Sequence, residues 1–500
     1  METKTLRALL ENLSYTLIQG DLDLPITGVC MDSRKVEEGN LFICISGYQT
    51  DGHTYIPMAL EKGAKALVVE KDVEVPADIA VIRVEDARIA LALLSAAWYG
   101  HPSKEMCVIG LTGTKGKTTT AHMIKKILEE AGNKVGMIGT NGAFIGGEKV
   151  GVEIKNTTPE SFDLQHILRI MKDEGCTHVV MEVSSQGLKL NRVLGIDFDY
   201  GAFLNLSPDH ISENEHKTFE EYKECKMMLF SMVKKSVIFL DNEHSADFLK
   251  VAPNPTTVSL KGEADYSVSD IHNLWDGSMF GVEFLLHRPD QTSEAIRVAM
   301  PGYFNAENAA IACALTSLEG VDAATQDAAL KNVSVKGRTQ IIPEALPIAC
   351  MVIDYAHNAF SSECVLQMLR EYNPKRLIAL FGCGGNRAVA RRIGMGEVAG
   401  RMADLSVITM DNPRNEPMSE INKGIIEGIN QHNGKYICID DRKEAIAYVL
   451  ENAEPGDIIA LLGKGHETYQ EIEGKRYPFS EEETILEWLK EHNIGQVDEK

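Results

Sequence analysis

Ten residues, Gly110-Leu111-Thr112-Gly113-Thr114-Lys115-Gly116-Lys117-Thr118-Thr119, join a short apolar segment to an amphipathic one. Small residues at this place let successive backbone N–H groups turn inward around phosphate oxygens, and the start of a following helix adds partial positive charge. In such a loop Lys117 reaches the β and γ phosphates of a nucleotide, and the Thr118 hydroxyl ligates Mg2+. Leu111 stands where the usual nucleotide loop has its first glycine, so a glycine-rich turn that binds nothing is the competing reading. ATP or GTP is the expected ligand. Phosphoryl chemistry also needs cations to neutralise the moving phosphate, and two further residues suit that work. Glu182 lies at the end of the apolar segment 178–183, and His210 follows Asn205-Leu206-Ser207-Pro208-Asp209. Each alone is an ordinary structural residue; beside the loop they make a candidate metal constellation.

These residues need a sheet to hold them. From Met106 on, apolar and amphipathic segments alternate: Cys107-Val108-Ile109, a helix over 118 to about 131 closed by Gly132-Asn133, then segments at 135–138, 178–183, 200–204 and 237–240. Alternation of this kind predicts a parallel sheet with helices on both faces and ligands beyond the carboxyl ends of its strands, where Glu182 and His210 fall. A second alternating set begins at Met351-Val352-Ile353 and continues at 377–381, 405–409 and 458–462. The first hundred residues carry short β-type segments, Leu41-Phe42-Ile43-Cys44-Ile45 and Ala66-Leu67-Val68-Val69, and close on His101-Pro102-Ser103. The expected fold is α/β in three domains: a smaller α/β domain over 1–103, a central P-loop-type parallel sheet over 104–335, and a doubly wound domain over 336–500.

Five hundred residues with 44% hydrophobic content exceed what one core accommodates, in keeping with that division. The formal charge of −23, from 73 acidic against 50 basic residues, repels polyphosphate backbones and anionic lipid. Nucleic acid and membrane surfaces are therefore not expected as partners. No export signal is read at the N-terminus and no apolar run reaches bilayer length, so a soluble, cytoplasmic protein is expected. The ten cysteines show no CxxC spacing, and Cys107, Cys313, Cys350 and Cys438, each inside an apolar stretch, read as reduced core residues and not as zinc ligands.

Taken in order, several segments resemble the Mur ligase family over nearly the whole chain. They are Thr112 to Thr119 in the loop, Met181-Glu182-Val183-Ser184-Ser185, Asn205 to His210, Pro301-Gly302-Tyr303-Phe304-Asn305-Ala306-Glu307-Asn308, Gly337-Arg338 and Asp354-Tyr355-Ala356-His357-Asn358. The resemblance implies an ATP- and Mg2+-dependent ligase that converts a carboxylate to an acyl phosphate and lets an amine displace the phosphate. It implies that Gly113, Thr114, Lys115, Gly116, Lys117, Thr118, Thr119, Asn305, Asn308, Arg338 and Asp354 bind ATP, over which the third domain closes. It implies a catalytic group of Lys117, Glu182, His210 and Lys226, with Thr118, Glu182, His210 and a carbamate on Lys226 as metal ligands. A plain surface lysine, like its neighbour Lys223, is the competing reading of Lys226.

Within the family, Asp32-Ser33-Arg34, Asn156-Thr157-Thr158, Gly382-Cys383-Gly384-Gly385-Asn386-Arg387 and Gly463-Lys464-Gly465-His466-Glu467 resemble the ligases that add the third amino acid to the UDP-linked muramoyl dipeptide. By that resemblance Ser33, Arg34, Asn156, Thr157, Thr158, Ser184 and Arg192 hold the UDP precursor. The segment Asp411-Asn412-Pro413-Arg414 resembles the signature of meso-diaminopimelate-adding enzymes, which implies an amino-acid site of Arg392, Asp411, Asn412, Pro413, Arg414, Gly463 and Glu467. In that site Glu467 pairs with the distal ammonium and Arg414 with the distal carboxylate. Competing readings are a helix cap for Asp32-Ser33-Arg34 and a turn whose Arg414 pairs with Glu416. Lys115, Gln186 and Asn386 depart from the family's usual asparagine, histidine and aspartate. They leave open a relative that joins L-lysine or another amino acid to this or another carboxylate, and a nucleotide-binding protein without turnover. A monomer is expected.

Overall fold

The computed structural model describes residues 3–47, 50–209, 211–212, 215–275 and 279–494. His210 lies outside them. Two compact units are present, one of Met1–Ser267 with Ile311–Val321, the other of Val268–Ala310 with Asp322–Lys500. No described helix is long and apolar enough to cross a membrane.

In the first unit, a five-stranded sheet runs in the order Thr16–Gln19, Ala80–Arg83, Ala66–Val69, Asn40–Ile43, Gly28–Cys30, parallel except for its first strand. Two apolar clusters, one around Leu41, Ile82 and Leu91 and one around Phe42, Ala59 and Leu67, fill its faces. Alternate residues of one strand, Leu41 and Phe42, serve opposite clusters, as the period of two requires.

The same unit carries the central sheet. Its strands Val135–Gly139, His178–Glu182, Cys107–Thr112, Phe198–Phe203, Val233–Phe239 and Pro255–Ser259 are neighbours in that order, and all are parallel. Nearly every residue of the three middle strands is buried, as a sheet covered on both faces demands. The helix Lys117–Glu130 follows its loop as expected and buries Ala121, Ile124, Ile127 and Leu128 on one stripe. Three adjacent carboxyl ends thus converge: Thr112 enters the loop, Glu182 closes its strand, and Phe203 leads to Asn205.

In the second unit, a hairpin of Phe280–His287 and Ser293–Val298 precedes a six-stranded sheet. The sheet's order is Gln340–Ile341, Cys350–Asp354, Ile458–Leu462, Leu377–Phe381, Leu405–Ile408, Tyr436–Cys438, with only the first strand antiparallel. Leu366, Met395 and Ile425 pack one face; Ile446, Val449 and Ile485 pack the other. The sheet's last strand in sequence, Ile458–Leu462, lies between the first two parallel strands, which makes a switch point in strand order where ligands gather in doubly wound sheets. The core reading of the cysteines holds for Cys313 and Cys350, which are buried, but not for Cys438 on an edge strand, which is exposed, or for Cys107, which is half-buried.

Candidate active site

Gly116 adopts φ of 85° immediately before the helix Lys117–Glu130, a conformation that disfavours any residue with a Cβ. Asn205 clamps the loop from the neighbouring strand: its carbonyl accepts from Thr114 N at 3.0 Å, its side-chain oxygen from Lys115 N at 2.9 Å, and its amide donates to Lys115 O at 3.2 Å. Lys115 extends outward, 3.4 Å from Asp209. Thr119 is buried in the first helical turn. Lys117 curls back, donating to Gly113 O at 2.7 Å and Thr114 O at 3.3 Å.

Glu182 is almost wholly buried, and its carboxylate is fully engaged. Thr118 Oγ1 donates to Oε1 at 2.9 Å, Thr140 N to Oε1 at 3.0 Å and Thr140 Oγ1 to Oε2 at 3.3 Å. A Cβ at Gly139 would stand 2.2 Å from Oε1, so glycine there is what lets this carboxylate approach the loop. Thr118 and Glu182 are therefore joined without any other group between them, a hard oxygen pair suited to Mg2+.

The helix Phe219–Met227 is capped by Thr218, whose hydroxyl accepts from Glu221 N at 3.1 Å. One turn apart on its buried face, Tyr222 and Lys226 reach the loop from below: the Tyr222 hydroxyl lies 3.1 Å from Thr114 Oγ1, and Lys226 donates to Gly113 O at 2.8 Å. Two lysines thus share one carbonyl. Burial, and then the charge of Lys117, push the Lys226 amine well below its usual pKa. A surface lysine is excluded, since Lys226 is 1% exposed.

A cleft of about 480 Å3 opens here, lined by Lys117, Asn156, Thr157, Ser184, Arg192 and Lys226 among others. Thr158 fixes its floor, with its hydroxyl 3.1 Å from Glu182 O and 3.0 Å from Ser184 Oγ. Arg192 donates to Thr158 O at 3.1 Å and pairs with Glu160 at 2.5 Å. Gln186 and the buried His216, whose Nε2 lies 2.9 Å from Ser185 Oγ, complete the lining. Reasoning from sequence did not single out Tyr222 or His216. In the five-stranded part, Asp32 caps the short helix Ser33–Lys35, accepting from Arg34 N and from its largely exposed guanidinium at 2.9 and 2.8 Å. Ser33 Oγ lies 3.3 Å from Met58 Sδ. The local geometry there is that of a cap.

The second unit holds the remaining expected residues. Asn305 is buried and donates to Pro301 O at 2.7 Å, and Asn308 donates to Asn305 Oδ1 at 3.3 Å. Asp354 accepts backbone N–H groups from Thr339 and Ala356 at 2.7 and 2.8 Å, and burial raises its pKa. Arg338 stands 5.3 Å from the Tyr355 ring.

At the ends of four adjacent strands of that sheet lies a polar nest. Lys464, wholly buried, donates to Asn412 Oδ1 at 3.0 Å and Glu467 Oε2 at 2.8 Å, with Asp411 at 3.9 Å. Asn412 also donates to Glu467 Oε2 at 2.9 Å. Lys464 was not among the expected site residues, yet it already occupies the carboxylate expected to meet an ammonium. Arg414 does not pair with Glu416. It donates to Gly385 O at 2.8 Å and lies 3.5 Å from Glu471, with φ of 54°. Glu416 instead takes both terminal nitrogens of the buried Arg392 at 2.7 Å, which lowers its pKa. Gly385 is needed because a Cβ would stand 1.9 Å from Pro413 O. Gly463, with φ of 109°, donates to Asp354 O at 3.1 Å and has no neighbour within 3.9 Å of a Cβ position, so backbone conformation and not crowding calls for glycine. Arg442, also missed from sequence, is buried with Glu481 and donates to Met410 O at 3.1 Å and Leu462 O at 3.0 Å. It thereby fastens together the two segments that carry Asp411 and Gly463.

Three family models match the chain: Mur ligase family, catalytic domain, over 25–99; Mur ligase middle domain over 111–316; and Mur ligase, glutamate ligase domain, over 337–465. The UDP-N-acetylmuramoyl-L-alanyl-D-glutamate--2,6-diaminopimelate ligase of Caldanaerobacter subterraneus subsp. tengcongensis is 41% identical over 476 residues, 95% of this chain and 97% of that one. Its namesake from Clostridium botulinum is 40% identical over 492 residues, 97% and 99% of the two chains. A solved structure of a ligase of the same name superposes with a TM-score of 0.76 at 30% identity, covering 98% of this chain and all of the other. Agreement of that depth, over three family models and nearly the whole chain, makes the chain a member of the Mur ligase family.

Proposed function

We propose that this protein is an ATP-dependent ligase that adds meso-diaminopimelate to UDP-N-acetylmuramoyl-L-alanyl-D-glutamate in peptidoglycan precursor synthesis. It acts in the cytoplasm as a monomer. The observation that carries the reading is the cleft in which Lys117 and Lys226 meet on Gly113 O beside Thr118 and Glu182. The names of full-length relatives supply the substrates.

The loop from Gly113 to Thr119 binds the ATP phosphates, and Lys117 leaves its two carbonyls to neutralise charge on the β and γ groups. Asn305, Asn308, Arg338 and Asp354 hold the rest of the nucleotide. Residues 1–103, with Ser33 and Arg34, bind the uridine diphosphate end of the acceptor. Asn156, Thr157, Thr158, Ser184 and Arg192 orient its peptide so that the terminal carboxylate attacks the γ phosphorus. Residues 104–335 carry the nucleotide, and 336–500 the incoming amino acid. Lys226 is suited to carbamylation because only a neutral amine adds to CO2: the N–C bond forms, a proton leaves the nitrogen to solvent, and a carbamate anion replaces the buried amine. Thr118, Glu182, His210 and that carbamate would hold Mg2+, which would supply charge neutralisation for the phosphates and the carboxylate.

Arg414 holds the distal carboxylate of diaminopimelate, with Arg392, Asp411, Asn412, Pro413 and Gly463 shaping the pocket. Glu467 receives the distal ammonium alongside Lys464. The test is a substrate panel read as ADP formation, followed by kcat/KM for meso-diaminopimelate against L-lysine in wild type and Arg414→Ala. ADP should form only when both the muramoyl dipeptide and an amine are present. Selectivity for diaminopimelate should fall in the variant by about 2–4 kcal/mol, the cost of a carboxylate left unpaired in a partly closed site. A wild type that prefers lysine, or a variant of unchanged selectivity, overturns the substrate; ADP formation without an amine overturns the ligase.

A further inference from the structure

Cys107 opens the strand Cys107–Thr112, His178 opens His178–Glu182, and the two are register partners in the parallel sheet. Parallel partners project to the same face across a strand spacing of about 5 Å. Glu319, just beyond the helix Tyr303–Ser317, joins them, so that a thiol sulfur, a ring nitrogen and a carboxylate oxygen all lie within 4.8 Å of one another. The neighbours are arranged to hold these groups in place. Thr177 Oγ1 lies 2.9 Å from His178 Nδ1, and His178 Nε2 lies 3.2 Å from Glu319 Oε2. The Tyr200 hydroxyl donates to Oε1, the other oxygen of Glu319. A cleft of about 530 Å3 lined by Cys107, Thr177, Tyr200 and Glu319 gives the cluster a path to solvent and room for a water.

We propose that Cys107, His178 and Glu319 bind a soft divalent cation, Zn2+ above others, at the amino-terminal edge of the central sheet. Thiolate, imidazole and carboxylate with one open place for water are the donor set Zn2+ favours, whereas Mg2+ prefers six oxygens. With Nδ1–H donating to Thr177, the Nε2 lone pair faces the cation. Such second contacts on a ligating histidine and carboxylate are what orient a metal site. On binding, a sulfur–metal bond forms and the thiol proton passes to solvent. Burial and the charges of Glu319 and Asp199 keep that thiol protonated otherwise. A histidine–glutamate ion pair with a bystander cysteine is the alternative, and it predicts no role for sulfur.

The six residues of Cys107–Thr112 span about 20 Å. The cluster therefore lies at the far end of the strand from the nucleotide loop, and its loss should leave ligation intact. The cation would tie the first residues of two central strands to the turn at Glu319, stiffening the sheet that carries the loop.

The experiment titrates metal-stripped full-length protein with Co2+ in excess Mg2+ and follows the thiolate-to-Co2+ charge-transfer absorption in the near ultraviolet. One equivalent should give the band, one equivalent of Zn2+ should remove it, and Mg2+ should not affect it. Cys107→Ser should abolish it, while Glu319→Gln and Tyr200→Phe should weaken Co2+ binding at least about tenfold. Variants that retain wild-type circular dichroism should form ADP at the wild-type rate. Absence of the band in wild type overturns the site. A band that survives Cys107→Ser overturns it too, because the sulfur is then another, such as the exposed Cys364 or Cys438.

Discussion

Replacing Lys226 by methionine should raise stability and abolish activity in one step. The side chain is 1% exposed, so methionine keeps its apolar stem in place while removing a buried amine. No carbonyl is orphaned, because Gly113 O retains Lys117 Nζ at 2.7 Å. What is lost is the amine's 2.8 Å hydrogen bond to Gly113 O and its 4.7 Å approach to the Tyr222 ring. What is gained follows from linkage. The folded-state pKa is depressed by burial and by Lys117, so between that depressed value and the ordinary one the unfolded chain binds more protons than the folded one. As pH falls from the ordinary lysine value of 10.5 toward the depressed one, the wild type loses stability that the methionine variant keeps. The variant's advantage therefore grows as the pH falls through that window, is fully present once the depressed value is reached, and shrinks as the pH rises through the ordinary one. Its size should be about 1–3 kcal/mol in CO2-free buffer, the scale found when buried ionic groups give way to apolar ones of like volume. Urea denaturation at several pH values, with pulsed hydrogen exchange reporting on Cys107–Thr112, measures it. A variant less stable than wild type at pH 7, a gain that does not change with pH, or turnover above a hundredth of wild type would refute the reasoning.

Lys117→Ala should reduce kcat by about a hundredfold or more, since charge stabilisation of this kind is worth several kcal/mol; near-normal turnover would separate the loop from phosphate binding. Arg442→Met should cost about 3–5 kcal/mol in the unfolding of the second unit, because Glu481 and two backbone carbonyls are left buried without their partner. Adding Glu481→Leu should restore most of that stability, and a double variant as weak as the single would contradict it. Gly385→Ala places a Cβ 1.9 Å from Pro413 O, so KM for the amino acid should rise at least tenfold while KM for ATP stays within twofold; both constants come from steady-state ADP release.

The loop around Lys117 was legible because its chemistry is local: glycine, lysine and threonine at fixed offsets between a strand and a helix. The parallel sheets were legible for a similar reason, since strands buried on both faces read as continuous apolar runs. What escaped was set by distant neighbours. The spacing of Tyr222 and Lys226 puts them on one helical face, but nothing local says that this face lies under Gly113. Arg442 stands in the charged stretch Asp441-Arg442-Lys443-Glu444, which reads as a solvated helix start, and only strand order reveals that its guanidinium spans two strand ends. Lys464 looks like a loop lysine between glycines until Asn412, 52 positions away, is placed beside it. Cys107 and His178 are separated by 71 positions and meet only through sheet register, so the absence of CxxC spacing could not speak to them.

The three departures from the family pattern divide along the same line. Asn386 has φ of 56°, a left-handed conformation in which asparagine is at home, so its choice is explained by backbone geometry. Lys115 points away from the loop toward Asp209. Gln186 differs in kind. It lines the cleft beside Ser184 and Arg192, and its Oε1 is buried without a hydrogen-bond partner among the described residues. A buried amide oxygen in that state costs about 1–3 kcal/mol. Such a cost is offset where a ligand supplies the missing donor, as an N–H group of the proposed muramoyl peptide would. An amide can accept from such a donor at any pH near neutrality, whereas the histidine usual at this position gains or loses a proton there. The substitution therefore removes a titration from this wall of the cleft without removing its hydrogen-bonding capacity.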